Sequence, residues 1–238
     1  GCQSRYRADS AYLKSYIDDG GLGDIYFAKA IAIRRRAVPT WGVFLDEEKQ
    51  GGGPLIDIGT HALDLTLWCM NNYRWESVMG TSYKKLRHRE NAANAWGPWD
   101  PKKYTVEDSA FGFVRFEDGA TVFLESSWAL NTLQTAEAVC LLCGTEGGAD
   151  FADGLRINGE KYGRLYTIKP ELKSGGVAFY EGRSETPQDV EARLFYKAIA
   201  EDTDPVVLPE QAATVTQILE AIYESAKTGK PVYNPELK

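Results

Sequence analysis

The chain has 238 residues, and its 27 Lys plus Arg against 34 Asp plus Glu give a formal net charge of −7. An acidic surface repels phosphodiester backbones and anionic bilayers, so this charge argues against a nucleic-acid-binding protein and against a membrane-surface protein. Hydrophobic residues make up 43% of the chain and six residues are Trp, a composition that excludes a disordered protein and fits a folded one.

The start of the sequence is unusual for a complete protein. It begins with Gly1 and Cys2, and both Met residues are internal, at positions 70 and 79. A chain without an initiator Met has been processed or taken from a longer one, so we expect a part of a longer protein. The first ten residues lack the apolar centre of a signal peptide, and Asp64 interrupts the most apolar stretch, 62–70, so no membrane-spanning helix is predicted.

The four cysteines are too few for a disulfide-stabilised scaffold in a chain of this length. Cys140 and Cys143 form a C-x-x-C pair within the apolar, strand-like run AVCLLCG, and the sequence has no second C-x-x-C or C-x-x-H. We therefore expect buried strand cysteines with neither a zinc site nor a redox site, and a reducing, cytoplasmic setting.

The predicted elements are a helix, a strand, a second helix, a long β region and two closing helices. Their bounds are a helix from Asp9 or Ser10 to Gly20, a strand over 25–33, a loop over 34–50, a helix over 54–71, strands over 76–169, and helices that begin at Pro187 and Pro209. The clearest hairpin joins 109–116 to 120–130 through Asp118-Gly119. With no internal repeat and no low-complexity linker, this order predicts one α+β domain over 1–238, with a large, mainly antiparallel open sheet and helices packed on one face.

The helix predicted over 54–71 carries the residues of greatest chemical interest. Most of its side chains are apolar, which predicts a buried helix, yet Asp57, His61 and Asp64 recur at helical spacing. At about 100° per residue the three fall within a stripe about 60° wide. Burying ionisable groups is costly unless they pair or face a wet cleft. Asp57, in the first turn, can accept a hydrogen bond from His61 and fix its tautomer, which makes the two a candidate acid/base pair.

Two other interpretations of this stripe stay open. In the first, Asp57 only neutralises a histidine of the core. In the second, the two carboxylates and His61 hold a divalent ion, which requires a further ligand such as His88 from elsewhere in the chain. The spacing is compatible with all three interpretations.

Further candidates lie in the predicted loops, as three consecutive arginines and three tryptophans. Guanidinium groups can bind an anionic or polyhydroxylated substrate, or they can line a solvated loop edge. Indole rings can stack against sugar rings, or they can anchor the packing of a loop. The residues are Arg34, Arg35, Arg36, Trp41, Trp96 and Trp99. The aperiodic stretch 88–105 is long enough to predict a lid or an oligomerisation arm.

Three glycines, at 51–53, precede the helix over 54–71, a position where helix amides can bind phosphate. The sequence contains no G-x-G-x-x-G and no G-x-x-x-x-G-K-[ST], and its other glycine clusters, at 20–24 and 144–148, lack the strand–turn–helix context. We therefore predict no dinucleotide-binding unit and no cofactor-binding residue in this chain.

Four segments occur in an order that is informative when they are taken together. They are QSRY followed by GLGDI, then GGGPLIDIGTHALDL, then VED followed by FEDGA and SW, and finally ILEAIY followed by SA and TGKPV. The second resembles the signature helix of the Gfo/Idh/MocA family, the relatives of glucose–fructose oxidoreductase and inositol dehydrogenase. Together the four span nearly the whole chain and resemble the C-terminal domain of that family.

The resemblance implies an NAD(P)-dependent oxidoreductase that acts on a sugar or cyclic polyol. It implies that Asp57 and His61 are the catalytic acid/base residues, where the proton of the hydroxyl being oxidised is taken while the hydride goes to the nicotinamide. Arg36 and Trp41 match a stretch that borders the substrate in relatives, and we add Asp64, on the same stripe as His61, as a substrate-binding residue.

The Rossmann domain of that family, with its glycine fingerprint and Glu-Lys-Pro motif, has no counterpart in this sequence. We therefore expect a substrate-binding and oligomerisation domain that is inactive alone and binds no cofactor or metal, with NAD or NADP held by the missing Rossmann domain of the full-length protein. The expected partners are a sugar or polyol, that domain, and further copies in a homodimer or homotetramer.

Two alternative functions stay open. One is a non-catalytic module for sheet-mediated dimerisation or sugar binding. The other is a domain of an NAD-dependent glycosidase, since a few relatives have that activity.

Overall fold

The computed structural model describes residues 1–172 and 185–237. Its helices are a 3-10 turn at Gln3–Tyr6, α1 (Ala8–Asp18), α2 (Glu47–Gln50), a π-helical turn at Leu55–Gly59 that runs directly into α3 (Thr60–Met70), α4 (Pro187–Glu201) and α5 (Pro209–Thr228). Its strands are β1 (Ile25–Ile33), β2 (Trp75–Tyr83), β3 (Ser109–Phe116), β4 (Thr121–Ser127), β5 (Ala136–Gly144), β6 (Gly147–Asp150), β7 (Arg156–Lys161), β8 (Arg164–Ile168) and β9 (Val232–Tyr233).

Within the described residues the strands form one sheet, in the order β8-β7-β6-β5-β1-β4-β3-β2-β9. β1 and β4 run parallel, in a register that pairs Phe27 with Thr121 and Ile33 with Ser127. The other neighbouring strands run antiparallel. The predicted α+β fold with a large, mainly antiparallel open sheet is confirmed.

Local sequence signals set the ends of the closing helices. The hydroxyl of Thr186 accepts a hydrogen bond from the amide of Asp189, and the carboxylate of Asp189 accepts one from the amide of Thr186. These two reciprocal hydrogen bonds form a capping box at the N-terminus of α4. Gly229 ends α5 with φ 68°, in the left-handed region that glycine adopts without strain. The predicted helix over 54–71 is present, but its first turn is π-helical, and the predicted loop over 34–50 includes the single turn α2.

α3 and α5 cover one face of the sheet. The residues that β1 turns towards the core are Ala28, Ala30 and Ala32, all fully buried, and their small side chains allow α3 to lie close to the strand. α5 crosses β2 and β3 at the paired glycines Gly80 and Gly112. A Cβ at either position would come within 3 Å of Ile222 on α5, so both glycines are required by the close approach of that helix.

The opposite face of the sheet is covered by none of the described helices. It presents aromatic rings from adjacent strands: Phe123 lies 5.1 Å from Phe113 and 5.9 Å from Phe27 between ring centroids. Phe113 and Phe123 remain 37% and 40% exposed. We call the surface formed by Phe27, Phe111, Phe113 and Phe123 the open face, and its exposed rings indicate a surface for interaction.

A buried ion pair ties the N-terminal turn to α3. The Arg5 and Asp64 side chains are 0% and 1% exposed, with Nε of Arg5 donating to Oδ2 at 2.9 Å and Nη2 donating to Oδ1 at 2.5 Å. Nη1 of Arg5 donates to Oε1 of Gln211 at 2.7 Å and to the carbonyl oxygen of Val206 at 3.1 Å. One guanidinium group therefore joins the chain start, α3 and the beginning of α5.

The four cysteines are free thiols. Cys140 is buried on the helix-covered side of β5, as predicted, whereas Cys143 is half-buried and, three positions along a strand, lies on the opposite side. The two thiols of the C-x-x-C sequence therefore do not face one another. None of the described helices has the length and apolar character needed to cross a bilayer.

Candidate functional site

The end of β1, the end of β4 and the start of β5 lie side by side at one end of these central strands, and they bring distant side chains together. We call this end of the three strands the edge. Because β1 and β4 are parallel, the residues that follow them, Arg34 and Trp128, emerge at the same edge. β5 is antiparallel to β1 and its first residue pairs with the last residue of β1, so Glu137 lies at this edge as well. The helix that carries Asp57 and His61 packs against β1, β4 and β5.

Asp57 lies in the π-helical turn and is half-buried. Its carboxylate accepts a hydrogen bond from the indole Nε1 of Trp128 at 2.9 Å, and Trp128 is fully buried. Burial raises the pKa of Asp57, while the Trp128 hydrogen bond and the nearby Arg34 and His61 offset part of that effect. This carboxyl group therefore holds a proton more readily than a solvated aspartate does.

His61 follows Asp57 by four residues but is not its hydrogen-bond partner in the described part of the chain. The turn between them is π-helical, with more residues per turn than the α-helix on which the predicted stripe is based. This turn packs tightly on β4, since a Cβ at Gly59 would lie 3.1 Å from the hydroxyl oxygen of Ser126. Trp128, rather than His61, binds the Asp57 carboxylate, and the imidazole of His61 stays half-buried.

A buried carboxylate fixes the start of the same helix. Glu107 accepts hydrogen bonds from the amides of Gly53 at 2.9 Å and Leu55 at 3.2 Å, and from the hydroxyl of Tyr223 at 2.8 Å. A Cβ at Gly53 would meet the Glu107 carbonyl oxygen at 2.4 Å, which is why glycine stands there. Because Glu107 occupies these amides, they do not fit a dinucleotide phosphate.

Arg34 and Glu137 form an ion pair beside Asp57. Nε of Arg34 donates to Oε2 of Glu137 at 2.6 Å and Nη2 donates to the other carboxylate oxygen, so the pair is bidentate. The guanidinium group also lies 5.6 Å over the ring of Trp96. An open groove of about 380 Å³ lies at this edge, lined by residues 33–37 and 135–137.

Arg36 also lines this groove. Its Nη2 donates to Oδ1 of Asn131 at 2.5 Å, and its backbone pairs with Ala129, the residue after Trp128. Burial and the neighbouring Arg89 and Arg35 lower the pKa of Arg36. The predicted substrate-binding arginine is thus placed at the same edge of the sheet as Arg34.

Aromatic rings connect this edge to the surface. The ring centroids of Trp128 and Phe44 are 6.3 Å apart, those of Phe44 and Trp41 are 5.8 Å apart, and those of Trp41 and Trp96 are 4.9 Å apart. Trp41 and Trp96 are about half exposed. The predicted Trp41 is therefore linked through two ring contacts to the indole that holds Asp57.

The stretch 88–105 is packed against the rest of the described chain. Trp99 and Tyr104 are buried in edge-to-face contact at 5.8 Å, and the side chain of Asn94 makes two hydrogen bonds with the backbone of Val38 at 2.8 and 2.9 Å. Asn94 and Trp99 therefore anchor this stretch to the rest of the described chain, and its role as a lid or an oligomerisation arm stays a prediction.

Asp64 lies apart from this arrangement. Both of its oxygens are taken by Arg5 in the interior, so its charge is used to hold the N-terminal turn on α3. We therefore leave Asp64 out of the proposed site. Among the described residues no group of three or more His, Cys, Asp or Glu is placed to hold a metal ion, so the metal interpretation of the stripe has no support.

Three residues that shape the candidate site were not predicted from the sequence. Glu107 and Trp128 occur in the segments VED and SW that carry the resemblance, and that was the available signal for them. No sequence pattern indicated Glu137, because its contact with Arg34 spans 103 residues and depends on the pairing of β1 with β5.

Known proteins resemble this chain in sequence. Residues 10–150 match the family model described as the GFO/IDH/MocA C-terminal domain. Over 228 residues the chain is 33% identical to D-glucoside 3-dehydrogenase of Escherichia coli (strain K12), a similarity that covers 96% of the chain and 62% of that protein. The chain therefore spans less than two thirds of this relative.

Solved structures share the fold. Levoglucosan dehydrogenase, in a complex with NADH and L-sorbose, has a TM-score of 0.75 at 23% identity, over 98% of this chain and 65% of that chain. An oxidoreductase domain protein from Kribbella flavida has a TM-score of 0.78 at 22% identity, over 99% of this chain and 66% of that chain. With the family model matching more than half of its residues, the chain belongs to the GFO/IDH/MocA family.

Proposed function

We propose that this chain is the substrate-binding and oligomerisation domain of an NAD(P)-dependent oxidoreductase that oxidises a hydroxyl group of a sugar or cyclic polyol. The observation that carries the proposal is the half-buried Asp57 carboxylate, held by the Trp128 indole close to His61 and to Arg34, which lines the open groove. The relatives support the substrate class, since D-glucoside 3-dehydrogenase and levoglucosan dehydrogenase are both named for sugars.

In this proposal His61 accepts the proton of the substrate hydroxyl while the carbon that bears it is oxidised. Asp57 stabilises the imidazolium that forms, because a carboxylate that is costly in its buried site becomes favourable beside a new positive charge. Trp128 keeps the carboxylate in place throughout. Arg36 and the Arg34–Glu137 pair supply hydrogen-bonding groups along the groove for the other hydroxyls of the substrate.

The hydride acceptor lies outside this chain in the proposal. The chain spans 62% of the length of D-glucoside 3-dehydrogenase. The amides of Gly53 and Leu55, where a helix start could bind a cofactor phosphate, already donate hydrogen bonds to Glu107. We propose that a Rossmann domain of the same protein holds NAD or NADP and that this chain alone has no turnover. The free cysteines favour the reducing cytoplasm as its location.

The test uses the product of the complete reading frame that contains this sequence. Sugar-dependent formation of NAD(P)H is compared for the wild type, His61→Ala and Asp57→Asn. We expect His61→Ala to lower kcat by about 10²–10⁴-fold, the range for loss of a general acid/base group. His88→Ala is the matched control, because His88 is the other histidine of the chain and is exposed.

Unchanged turnover in His61→Ala contradicts the acid/base role. Absence of NAD(P) reduction with every sugar and polyol tested contradicts the oxidoreductase proposal and favours a non-catalytic sugar-binding or dimerisation module.

We further propose that two copies associate through the open face. Two of its rings, Phe113 and Phe123, lie in register on adjacent strands and remain exposed, and two sheets that pack face to face bury such rings.

A further inference from the structure

β5 contains one residue more than its partner β1 where the two strands reach the candidate site. Two steps along β1, from Ile31 to Ile33, match three steps along β5, from Val139 to Ala136. The additional residue forms a β-bulge in β5. Bulges redirect side chains and are over-represented next to active sites, so the direction of the side chains at this bulge bears on the groove.

The bulge decides on which side of the sheet Glu137 lies. Its neighbour Ala136 pairs with Ile33, and residues that pair across two strands share a face. Ile33 follows Ala32, which is buried on the helix-covered side, so Ile33 and Ala136 turn to the opposite side. Glu137 therefore faces the helix-covered side. In a regular ladder Ile33 would pair with Glu137 itself, and this carboxylate would point towards the open face.

The position of Glu137 determines whether Arg34 has a partner. The carboxylate accepts from Nε of Arg34 at 2.6 Å and from Nη2, and both residues line the groove. Both charges also lie close enough to Asp57 to affect its pKa, which Arg34 lowers and Glu137 raises. With Glu137 on the open face, the groove would contain an unpaired guanidinium group and no carboxylate.

The bulge is held against a backbone preference. Ala138 has φ 53°, in the left-handed region that residues with a Cβ rarely adopt. Such a conformation persists only where the surrounding structure maintains it. Nη1 of Arg7 donates to the carbonyl oxygen of Ala138 at 2.8 Å. The same guanidinium is fixed by two hydrogen bonds to Asp9, at 3.0 and 3.1 Å, and lies 5.3 Å over the ring of Phe151.

We infer that Ala138 and Arg7 are positioning residues of the candidate site, in which Arg7 stabilises the bulge at Ala138 and the bulge keeps Glu137 beside Arg34. The groove is lined by residues 33–37 and 135–137, so both residues act on it through Glu137. The effect of this placement on sugar binding rests on the proposed function.

Hydrogen exchange of the Arg34 side chain tests the placement. Its Nε–H donates to Glu137 and gives an NMR signal in the 238-residue chain, which Arg34→Lys identifies. We expect this exchange to be at least about tenfold faster in Glu137→Gln and in Ala138→Val, because a β-branched residue disfavours the left-handed region and favours the regular register. Ala138→Gly accepts that region and is expected to keep the slow exchange.

Arg7→Met tests the same placement without a change in β5. The exchange is expected to become faster as well, because the Ala138 carbonyl loses its charged donor. Tyr162→Val is the matched control. Tyr162 also has a left-handed φ, 54°, but it lies on the turn between β7 and β8, so Val introduces the same strain away from the groove. Circular dichroism spectra establish which variants are folded.

The complete protein provides the functional measurement. Ala138→Val is expected to raise KM for the sugar by about 3–10-fold with little change in kcat, because a contact that binds substrate and transition state alike is lost. Ala138→Gly and Tyr162→Val are expected to retain the KM of the wild type.

Slow exchange of the Arg34 signal in Arg7→Met, or in a folded Ala138→Val, overturns the inference, and so does equally fast exchange in Tyr162→Val. An unchanged KM in Ala138→Val overturns the effect on sugar binding. Absence of sugar-dependent NAD(P) reduction by the complete protein overturns the proposed function instead, whereas the exchange measurements still decide the placement of Glu137.

Discussion

At the scale of single residues, Asp57 is half-buried and accepts a hydrogen bond from an indole N–H. Trp128 provides that donor, and Arg34 and His61 favour the charged form, but burial outweighs them and raises the pKa of Asp57. A charge held against a desolvation penalty costs folding free energy, which natural proteins accept at functional positions.

Replacing Asp57 by Asn removes this charge and keeps an oxygen that can accept from Trp128. Since the pKa of Asp57 is raised above 3.8 in the folded chain, the folded chain binds the proton more tightly than the unfolded chain does. Wild type is therefore expected to lose stability relative to Asp57→Asn as the pH rises above about 3.8, whereas well below that pH the difference between the two no longer changes with pH. Urea unfolding across this pH range measures the effect.

The control for this prediction is Asp19→Asn, because Asp19 is exposed and accepts no side-chain hydrogen bond among the described residues. A stabilising effect of Asp57→Asn that is larger in acid than at neutral pH contradicts the prediction.

Asp64 is more deeply buried than Asp57, and an opposite charge binds it. Replacing Asp64 by Asn leaves the Arg5 guanidinium buried without its carboxylate partner, and we expect a loss of about 3–5 kcal/mol in the free energy of unfolding. Asp18→Asn, which breaks the exposed pair of Asp18 with Lys14, is expected to cost less than about 1 kcal/mol. Denaturant unfolding compares the two variants, and similar losses in both would show that burial of the Arg5 pair has no special weight.

At the scale of helices and strands, elements with local signals were predicted closely. β1 occupies the nine residues expected from its β-branched and aromatic content, and α5 begins at Pro209, whose fixed φ suits the first position of a helix. The same holds for the hairpin at Gly119, whose φ is 88°.

The π-helical turn was not predictable from the same kind of signal. It depends on Glu107 at one end and on the contact of Gly59 with Ser126 at the other, and both partners come from distant parts of the chain. The spacing expected for a regular α-helix therefore predicted the helix that carries Asp57 and His61. It also predicted a hydrogen bond between these two residues that the structure does not contain.

The contact of α5 with the sheet leads to a prediction about Gly80 and Gly112. Adding a methyl group at either position forces α5 and the sheet apart, at a cost of about 1–3 kcal/mol in unfolding free energy. At Gly112 the nearest atom is Cδ1 of Ile222, at 2.5 Å, whereas at Gly80 it is the backbone oxygen of Ile222, at 2.7 Å. Ile222→Val removes Cδ1, so it should rescue part of the loss in Gly112→Ala and none in Gly80→Ala.

Two double-mutant cycles measured by thermal or urea unfolding provide the test. A favourable coupling energy of at least about 0.5 kcal/mol is expected for Gly112→Ala with Ile222→Val. Equal coupling for both glycines would mean that the helix, and not the Ile222 side chain, relieves the overlap.

At the scale of the whole molecule, the open face leaves Phe113 and Phe123 exposed and is covered by none of the described helices. If two copies pack through the open face, Phe123→Lys places two charges in the interface and should raise the dissociation constant of the dimer by at least about tenfold. Tyr162→Lys adds the same charge at another exposed aromatic position and should leave association unchanged. Sedimentation velocity over a concentration series measures both, and a wild-type chain that is monomeric throughout contradicts the proposed association.

The parallel pairing of β1 with β4 has a consequence for the order of folding. Arg34 meets Glu137 across 103 residues of sequence, and Asp57 meets Trp128 across 71. Neither contact lies within a hairpin or a helix, so we expect both to form only after distant parts of the chain have paired. Such long-range pairings are slow, because the entropy of closing large loops is lost before any contact compensates it. We therefore expect the groove to be assembled among the last features of the fold, after the helices and hairpins have formed.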